Sequence, residues 1–221
     1  ALPVVDHDGR LAGIVPAQTM LHVLRQEHVE DLHRLAGIQR ETSMARHAIE
    51  DPPLRRFWHR IPWLVAGLAG SAAATGVMAG FENRLSANVA IAFFIPAIVY
   101  LADAVGTQTE AIAVRGLSLT RSGITHLLAA ELGVGTLIGA ALGALAMPMV
   151  FLGFGDAKLA LAVGASIWVA SSIAATLGLL LPWLLAKAHI DPAHGSGPLA
   201  TVIQDILSIL SYFVVLRLFG V

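Results

Sequence analysis

The sequence has 221 residues, of which 56% are hydrophobic and 13% are charged, with a formal net charge of −1 at pH 7. That hydrophobic content exceeds what a water-soluble domain carries, and the near-zero net charge gives no sign of nucleic-acid binding. The absence of cysteine excludes disulfides and thiolate metal ligands. Since 16 of the 29 charged residues fall within the first 60 positions, we predict a short polar segment followed by a membrane domain.

The polar segment begins with a strand, turn and strand pattern in its first fifteen residues, in which Asp8–Gly9 supplies the turn. A helix is expected to follow from Pro16 to about Gln26. Residues 29–58 are polar with helical character, and Asp51-Pro52-Pro53 interrupts them. One hairpin and one helix cannot bury a stable core. We therefore expect this sequence to be a piece of a longer protein.

Five stretches that are long and apolar enough to cross a bilayer follow the polar segment. Their predicted bounds are 62–81, 86–113, 124–152, 158–187 and 198–219. The second includes a polar stretch, Ala102 to Glu110. Since lipid cannot satisfy polar groups, that stretch must face protein or water.

The positive charges that flank the spans predict the orientation. An odd number of spans places the two termini on opposite sides of the membrane. With the N-terminus in the cytoplasm, six Lys and Arg residues flank the cytoplasmic ends and three flank the external ends. Trp58, Trp63 and Trp183 then lie near the inner interface, where aromatic side chains anchor spans. We predict a cytoplasmic N-terminus and an external C-terminus.

The last span carries a carboxylate, Asp205, which is costly in lipid unless it faces a cavity or a partner. Helical spacing places it on one stripe with Gly197, Thr201, Ser208 and Tyr212. One carboxylate with carbonyl and hydroxyl oxygens suits a partly hydrated divalent ion. In a two-fold dimer the carboxylate occurs twice, which favours divalent cations. The structural alternative is a buried Asp that hydrogen-bonds a neighbouring helix.

A second polar face lies in the second span, where Asp103, Thr107 and Glu110 are spaced i, i+4 and i+7. Pro96 can bend this helix and free carbonyl oxygens. Glu110 is also explained by a helix end that emerges into water. In the loop before the last span, Asp191 either guards the inner mouth of a pore or belongs to a solvated turn.

A competing pattern, Gly153-Phe154-Gly155-Asp156, matches the Gly-x-Gly-Asp sequence of intramembrane aspartyl peptidases. Asp103 would have to be the second acid, and the dyad requires both carboxylates at one depth. The predicted topology places Asp156 in an external loop and Asp103 toward the cytoplasmic half. The short match is therefore weak support for a peptidase.

Taken in order, several motifs resemble the MgtE family of magnesium channels and transporters over nearly the whole chain. They are Glu30-Asp31-Leu32-His33-Arg34-Leu35-Ala36-Gly37, Arg60-Ile61-Pro62-Trp63-Leu64, Ala92-Phe93-Phe94-Ile95-Pro96, Gly106-Thr107-Gln108-Thr109, Val114-Arg115-Gly116-Leu117, Asp191-Pro192-Ala193 and Ser196-Gly197-Pro198, followed by Asp205.

The resemblance implies an all-α membrane protein with five transmembrane helices per subunit and a partial α/β CBS remnant at the N-terminus. Residues 1–28 would be the end of a CBS domain, 29–59 a cytoplasmic connecting helix, and 60–221 the pore domain. Two subunits would form a homodimer in a bacterial inner membrane, with a pore on the dimer axis lined by the second and fifth spans. Further regulatory domains would precede this sequence in the full-length protein.

The resemblance also implies the function and its residues. The protein would carry Mg²⁺ into the cytoplasm under gating by cytoplasmic Mg²⁺, with no enzymatic activity and no organic cofactor. The implied residues are Asp205, Thr201, Gly197 and Asp191 for Mg²⁺ in the pore and Glu27, Glu30 and Asp31 for regulatory Mg²⁺. From their places on the polar helix faces, Asp103 is a further candidate for Mg²⁺ in the pore, and Thr107, Gln108 and Ser208 are candidates for the pore lining.

The chain departs from the family in its second span. Ala102-Asp103-Ala104 stands where the family usually has Gly-Gly-Asn, and Glu110 is an additional acid. These acids favour an alternative within transport, a carrier or exporter of another divalent metal. A regulatory membrane scaffold without ion flux is the other alternative.

Overall fold

The computed structural model of the chain describes residues 1–36, 38, 51–120, 122–193 and 196–221. In these residues it contains two strands and seven helices: β1 (Leu2–Val5), β2 (Leu11–Val15), α1 (Ala17–Leu35), α2 (Pro53–Ala79), α3 (Glu82–Ala87), α4 (Ala90–Leu119), α5 (Ile124–Phe154), α6 (Ala157–Lys187) and α7 (Ser196–Phe219).

The N-terminal hairpin is formed as predicted, with β1 and β2 paired antiparallel. The carboxylate of Asp6 closes the turn by accepting hydrogen bonds from the N–H groups of Asp8 and Arg10, at 3.0 and 2.8 Å. Gly9 adopts a φ of +76°, which glycine reaches without steric cost.

Helix α1 is longer than the sequence pattern predicts. It was expected to end at about Gln26 but continues to Leu35. Neither Pro nor Gly occurs between Ala17 and Leu35 to stop it. Most of the connecting segment that follows, residues 39–50, lies outside the described residues.

Five helices, α2 and α4 to α7, are long and apolar enough to cross a membrane. This confirms the predicted all-α class with five transmembrane helices. The polar stretch of the second span lies inside the unbroken helix α4. Helix α2 begins at Pro53, nine residues before the predicted start of the first span. Proline is favoured in the first turn of a helix, so Pro53 starts this helix instead of interrupting it.

Helix α6 is the central helix and packs against α4, α5 and α7. Its closest neighbour is α5, whose Gly135, Gly139 and Gly143 face the backbone of α6. A Cβ atom on Gly139 would lie 2.8 Å from the carbonyl oxygen of Trp168. The two helices therefore approach at a distance that only glycine permits, as in small-residue packing of membrane helices.

Helices α4 and α7 run antiparallel to each other. At one end the buried Tyr212 hydroxyl donates to the carbonyl of Ile91 at 2.9 Å. Toward the other end Thr201 donates to Asp103 at 3.2 Å. Helix α2 packs mainly against α7, with Gly70 in contact with Val202. This arrangement leaves a groove between α2, α4 and α7.

Candidate cation-binding groove

The groove between α2, α4 and α7 has a volume of about 1080 Å³, and the end of α1 forms one of its walls. It is lined by Leu32, Leu35, Ala36, Ile38, Arg60, Trp63, Leu64, Gly67, Leu68, Ser71, Thr107, Glu110, Gly197, Pro198, Thr201, Val202 and Asp205. Its polar lining comes mostly from α4 and α7. Its apolar lining comes mostly from α1 and α2.

Three residues of the predicted stripe, Gly197, Thr201 and Asp205, line this groove together. The Thr201 hydroxyl donates to Oδ1 of Asp103 at 3.2 Å, so it connects α7 to the acid of α4. Within the described residues, neither Asp103 nor Asp205 forms an ion pair. Carboxylates beside a cavity that are not engaged in ion pairs attract cations.

The other residues predicted to line a pore are divided between the groove, the surface and the interior. Thr107 lines the groove, whereas Gln108 is exposed outside it. Ser208 is buried in the chain, 1% exposed, as is Tyr212. The stripe therefore faces the groove from Gly197 to Asp205, and beyond Asp205 it faces the interior of the helix bundle.

Glu110 is buried at the end of the groove, with 3% of its surface exposed, so it does not emerge into water at a helix end. It lies beside the N-terminus of α7, where the Ser196 hydroxyl interacts with it and a Cβ atom placed on Gly197 would lie 4.0 Å from its Oε2. The carboxylate of Glu131 lies elsewhere and accepts a hydrogen bond from Thr109 at 3.3 Å.

Two ion pairs, Arg34–Asp191 and Asp31–Arg115, hold α1 against the membrane helices, and we call these two pairs the α1 latch. The Arg34 guanidinium binds both Glu30 in α1 and Asp191 in the loop before α7. Asp31 pairs with Arg115 of α4 at 2.6 Å. Burial raises the pKa of Asp31 and the charge of Arg115 opposes this effect. Such partly buried pairs mainly fix geometry, because desolvation offsets much of their attraction.

The latch and the Arg34–Glu30 pair involve three of the acids that the resemblance assigns to magnesium. Glu30, Asp31 and Asp191 each contact an arginine, whereas Glu27 is exposed. Among the described residues no group of three or more His, Asp or Glu is arranged to hold a metal ion. A regulatory Mg²⁺ at Glu27, Glu30 or Asp31 stays a prediction, and it would have to compete with the arginines.

We expect Arg34→Ala to loosen α1 from the groove, because Glu30 and Asp191 would lose their shared guanidinium. The chain has no cysteine, so spin labels at His28→Cys and Ser122→Cys would report the distance between α1 and the end of α4. The distance distribution should broaden in Arg34→Ala. Arg25→Ala, at an exposed arginine of the same helix, is the matched control. A distribution that both variants leave unchanged would contradict the latch.

The acid of the peptidase-like pattern has a structural role. Asp156 caps α6, and its carboxylate accepts from the backbone N–H groups of Lys158 and Leu159 at 2.9 and 3.1 Å. The glycine before it, Gly155, has a φ of +67° and ends α5. Helix termination and capping therefore account for the Gly-x-Gly-Asp sequence.

Sequence reasoning missed three polar residues near the groove. Gln204 is 2% exposed and packs against Gly106 of α4. Ser196 is fully buried, and Arg34 holds the latch. Gln204 could have been predicted, because it is a polar residue directly before Asp205 in an otherwise apolar span. The role of Arg34 depends on a contact 157 positions away, which no local pattern reveals.

Five membrane-length helices, with a carboxylate-lined groove between three of them, define a polytopic membrane protein suited to handling cations. Comparisons with known proteins agree with this class. The family profile of MgtE, described as a divalent cation transporter, matches residues 95–215. The chain therefore belongs to the MgtE family of divalent cation transporters, and so to transport proteins rather than enzymes.

Individual relatives match over nearly the whole chain. The magnesium transporter MgtE of Thermus thermophilus is 32% identical over 220 residues, which cover 98% of this chain and 48% of the relative. Those of Bacillus subtilis and Enterococcus faecalis are 32% and 31% identical, covering 96% and 99% of this chain and 47% and 48% of the relatives. The chain thus spans about half the length of the curated relatives it matches.

Proposed function

We propose that this chain is the ion-conducting part of a magnesium transporter that carries Mg²⁺ into the cytoplasm. The observation that carries the proposal is the groove at which Asp205, Thr201 and the neighbouring Asp103 present oxygen atoms, with neither carboxylate in an ion pair among the described residues. The names of the relatives support Mg²⁺ as the transported ion.

The mechanism requires no covalent chemistry. The Asp205 and Asp103 carboxylates raise the local concentration of divalent cations, because two unit charges 4 Å apart attract by about 4 kcal/mol at an effective dielectric constant of 20. The Thr201 hydroxyl and backbone carbonyls replace part of the outer hydration. Mg²⁺ gives up its inner waters reluctantly and therefore passes largely hydrated.

A second copy of the chain is the proposed partner that closes the groove. In a single chain the α2 side chains that line the groove leave a large apolar surface uncovered, since Leu64 and Leu68 are 64% and 70% exposed. A two-fold axis beside α4 and α7 would bring two copies of Asp205 to one level. The proposed setting is the bacterial inner membrane, with a cytoplasmic N-terminus and an external C-terminus.

Gating would act through α1, which supplies the Leu32, Leu35 and Ala36 wall of the groove. The α1 latch holds this wall in place. We propose that cytoplasmic Mg²⁺ acts on the acids of α1 together with regulatory domains that precede it in a longer protein. Mg²⁺ would then shift the population between a closed and an open groove.

Transport by the purified chain is the direct test. Liposomes that contain the chain and an internal Mg²⁺ indicator should take up external Mg²⁺ faster than protein-free liposomes. Uptake should persist when the gradients of protons and sodium are absent, if movement is passive. A folded chain that gives no divalent flux would contradict the proposal and favour a regulatory scaffold.

Asp103 should influence which divalent ion passes. It stands beside the path with a direct hydrogen bond from Thr201, and an extra carboxylate favours ions that exchange water for protein oxygen more readily than Mg²⁺ does. We expect Asp103→Asn to lower flux by about tenfold, the equivalent of ~1.4 kcal/mol. The ratio of Mn²⁺ to Mg²⁺ flux should fall with it.

Glu131→Gln is the control for Asp103→Asn, since it neutralises an acid of α5 that bonds Thr109 and does not line the groove. Its Mn²⁺ to Mg²⁺ ratio should equal that of the unmodified chain. If the unmodified chain carries Mn²⁺ or another metal and excludes Mg²⁺, the alternative of a carrier or exporter of that metal replaces the magnesium proposal.

A further inference from the structure

Glu110 is the most unusual buried group in the described part of the chain. It is 3% exposed, and its Oε1 atom has no hydrogen-bond partner. No Lys, Arg or His among the described residues forms an ion pair with it, and another carboxylate, Asp103, repels its charge. A buried carboxylate in this situation requires compensation.

Other oxygen atoms surround this carboxylate. The fully buried Ser196 hydroxyl lies next to it but makes no well-aligned hydrogen bond. A Cβ atom placed on Gly197 would clash with the carbonyl oxygen of Leu35 and would lie 4.0 Å from Oε2 of Glu110, so both oxygens border the same small space beside Gly197. Leu35 lies in the last turn of α1, where carbonyls have no donor within the helix.

A carboxylate, a hydroxyl and a backbone carbonyl form the ligand set that hard divalent cations prefer. Both Glu110 and Gly197 line the groove, so the buried oxygen atoms lie directly beside it. The N-terminus of α7 supplies partial positive charge to the carboxylate, but it leaves the hydroxyl of Ser196 unused.

We propose that Glu110, Ser196 and the Leu35 carbonyl form a second divalent-cation site that joins α1 to α4 and α7. The site is separate from Asp205, because Ser196 lies nine residues before Asp205 in α7, roughly 13 Å away at 1.5 Å per residue. The inference depends on the proposed function only for the choice of ion. Its α4 ligand, Glu110, was not among the residues predicted from the sequence to bind metal.

Mn²⁺ binding measured without transport tests this site. The purified chain in lipid nanodiscs would be titrated with Mn²⁺ alone, and free Mn²⁺ would be read by its paramagnetic resonance signal. The double variant Asp103→Asn/Asp205→Asn provides a background in which both acids of the proposed ion path are neutral. This background should still bind Mn²⁺, and adding Glu110→Gln should remove one bound ion per chain.

Two further variants keep the test decisive. In the same background Ser196→Ala should weaken Mn²⁺ binding about tenfold, since removing a supporting oxygen typically weakens metal affinity by 10 to 100 times. Glu131→Gln should leave binding unchanged. Mn²⁺ should also raise the melting temperature less in Glu110→Gln than in the unmodified chain, because a ligand stabilises only the folded state that binds it.

The outcomes separate the site from the proposed function. Equal Mn²⁺ binding with and without Glu110→Gln, or an equal loss in Glu131→Gln, would overturn the site even if flux depends on Asp205. Should Glu110→Gln fail to fold, unchanged affinity in Ser196→Ala would overturn the site as well. Binding that depends on Glu110 in a chain without flux would uphold the site and contradict the transport proposal.

Discussion

Asp205→Asn is expected to reduce divalent-cation flux by about a hundredfold, which corresponds to ~2.8 kcal/mol of lost cation stabilisation. The substitution keeps the shape of the side chain and removes its charge. Asp205 lines the groove and has no ion-pair partner among the described residues. A cation in the groove can therefore bind this carboxylate without displacing an ion-pair partner. Initial rates of Mg²⁺ and Mn²⁺ uptake into liposomes, at equal protein content, would measure the loss.

Asp156→Asn is the matched control, since it makes the same chemical change at the cap of α6, outside the groove. It should retain flux and nearly all of its helix stability, because the side-chain oxygen of asparagine caps a helix about as well as that of aspartate. Equal flux in Asp205→Asn and the unmodified chain would contradict a pathway along α7. Loss of function in Asp156→Asn with intact folding would contradict the capping role assigned to that acid.

Gly139→Val should destabilise the membrane domain by about 3 kcal/mol, at the upper end of the usual effect of overpacking. The Cβ atom of the new side chain would lie 2.8 and 2.9 Å from the carbonyl oxygen and Cα of Trp168. Both contacts are with backbone, so no side-chain rotation relieves them. The thermal midpoint of aggregation of the detergent-solubilised chain would report the loss.

Gly133→Val provides the comparison in the same helix, because nothing lies within 4 Å of a Cβ atom at Gly133. It should leave the midpoint unchanged or raise it, since glycine is a poor helix former. Gly139→Ala should lower the midpoint, whereas Gly133→Ala should raise it. Similar destabilisation at both positions would mean that close α5–α6 packing is not what Gly139 provides.

Much of the fold was predictable because membrane spans are encoded locally. Twenty apolar residues without charge predict a spanning helix whatever packs against it, and Asp8–Gly9 is a strong local turn signal. The ends of helices were less predictable. Helix α1 passes the expected end at Gln26 because a polar sequence without breakers stays helical when it has a surface to dock on.

The candidate site was only partly predictable for a related reason. Helical periodicity correctly groups Gly197, Thr201 and Asp205, which line one groove. Periodicity does not say which neighbouring helix covers the next turn, so it did not predict that Ser208 is buried in the bundle. Contacts between distant positions, such as that of Arg34 with Asp191, depend on tertiary packing alone.

The uninterrupted helix α1 has a mechanical consequence. Nineteen residues without a break form a stiff rod of roughly 28 Å, at 1.5 Å per residue. One end of this rod adjoins the N-terminal hairpin and the other forms a wall of the groove. A tilt of about 10° would move its tip by roughly 5 Å, close to one helical turn of 5.4 Å. A small rotation outside the membrane is thus amplified into a displacement as wide as an ion.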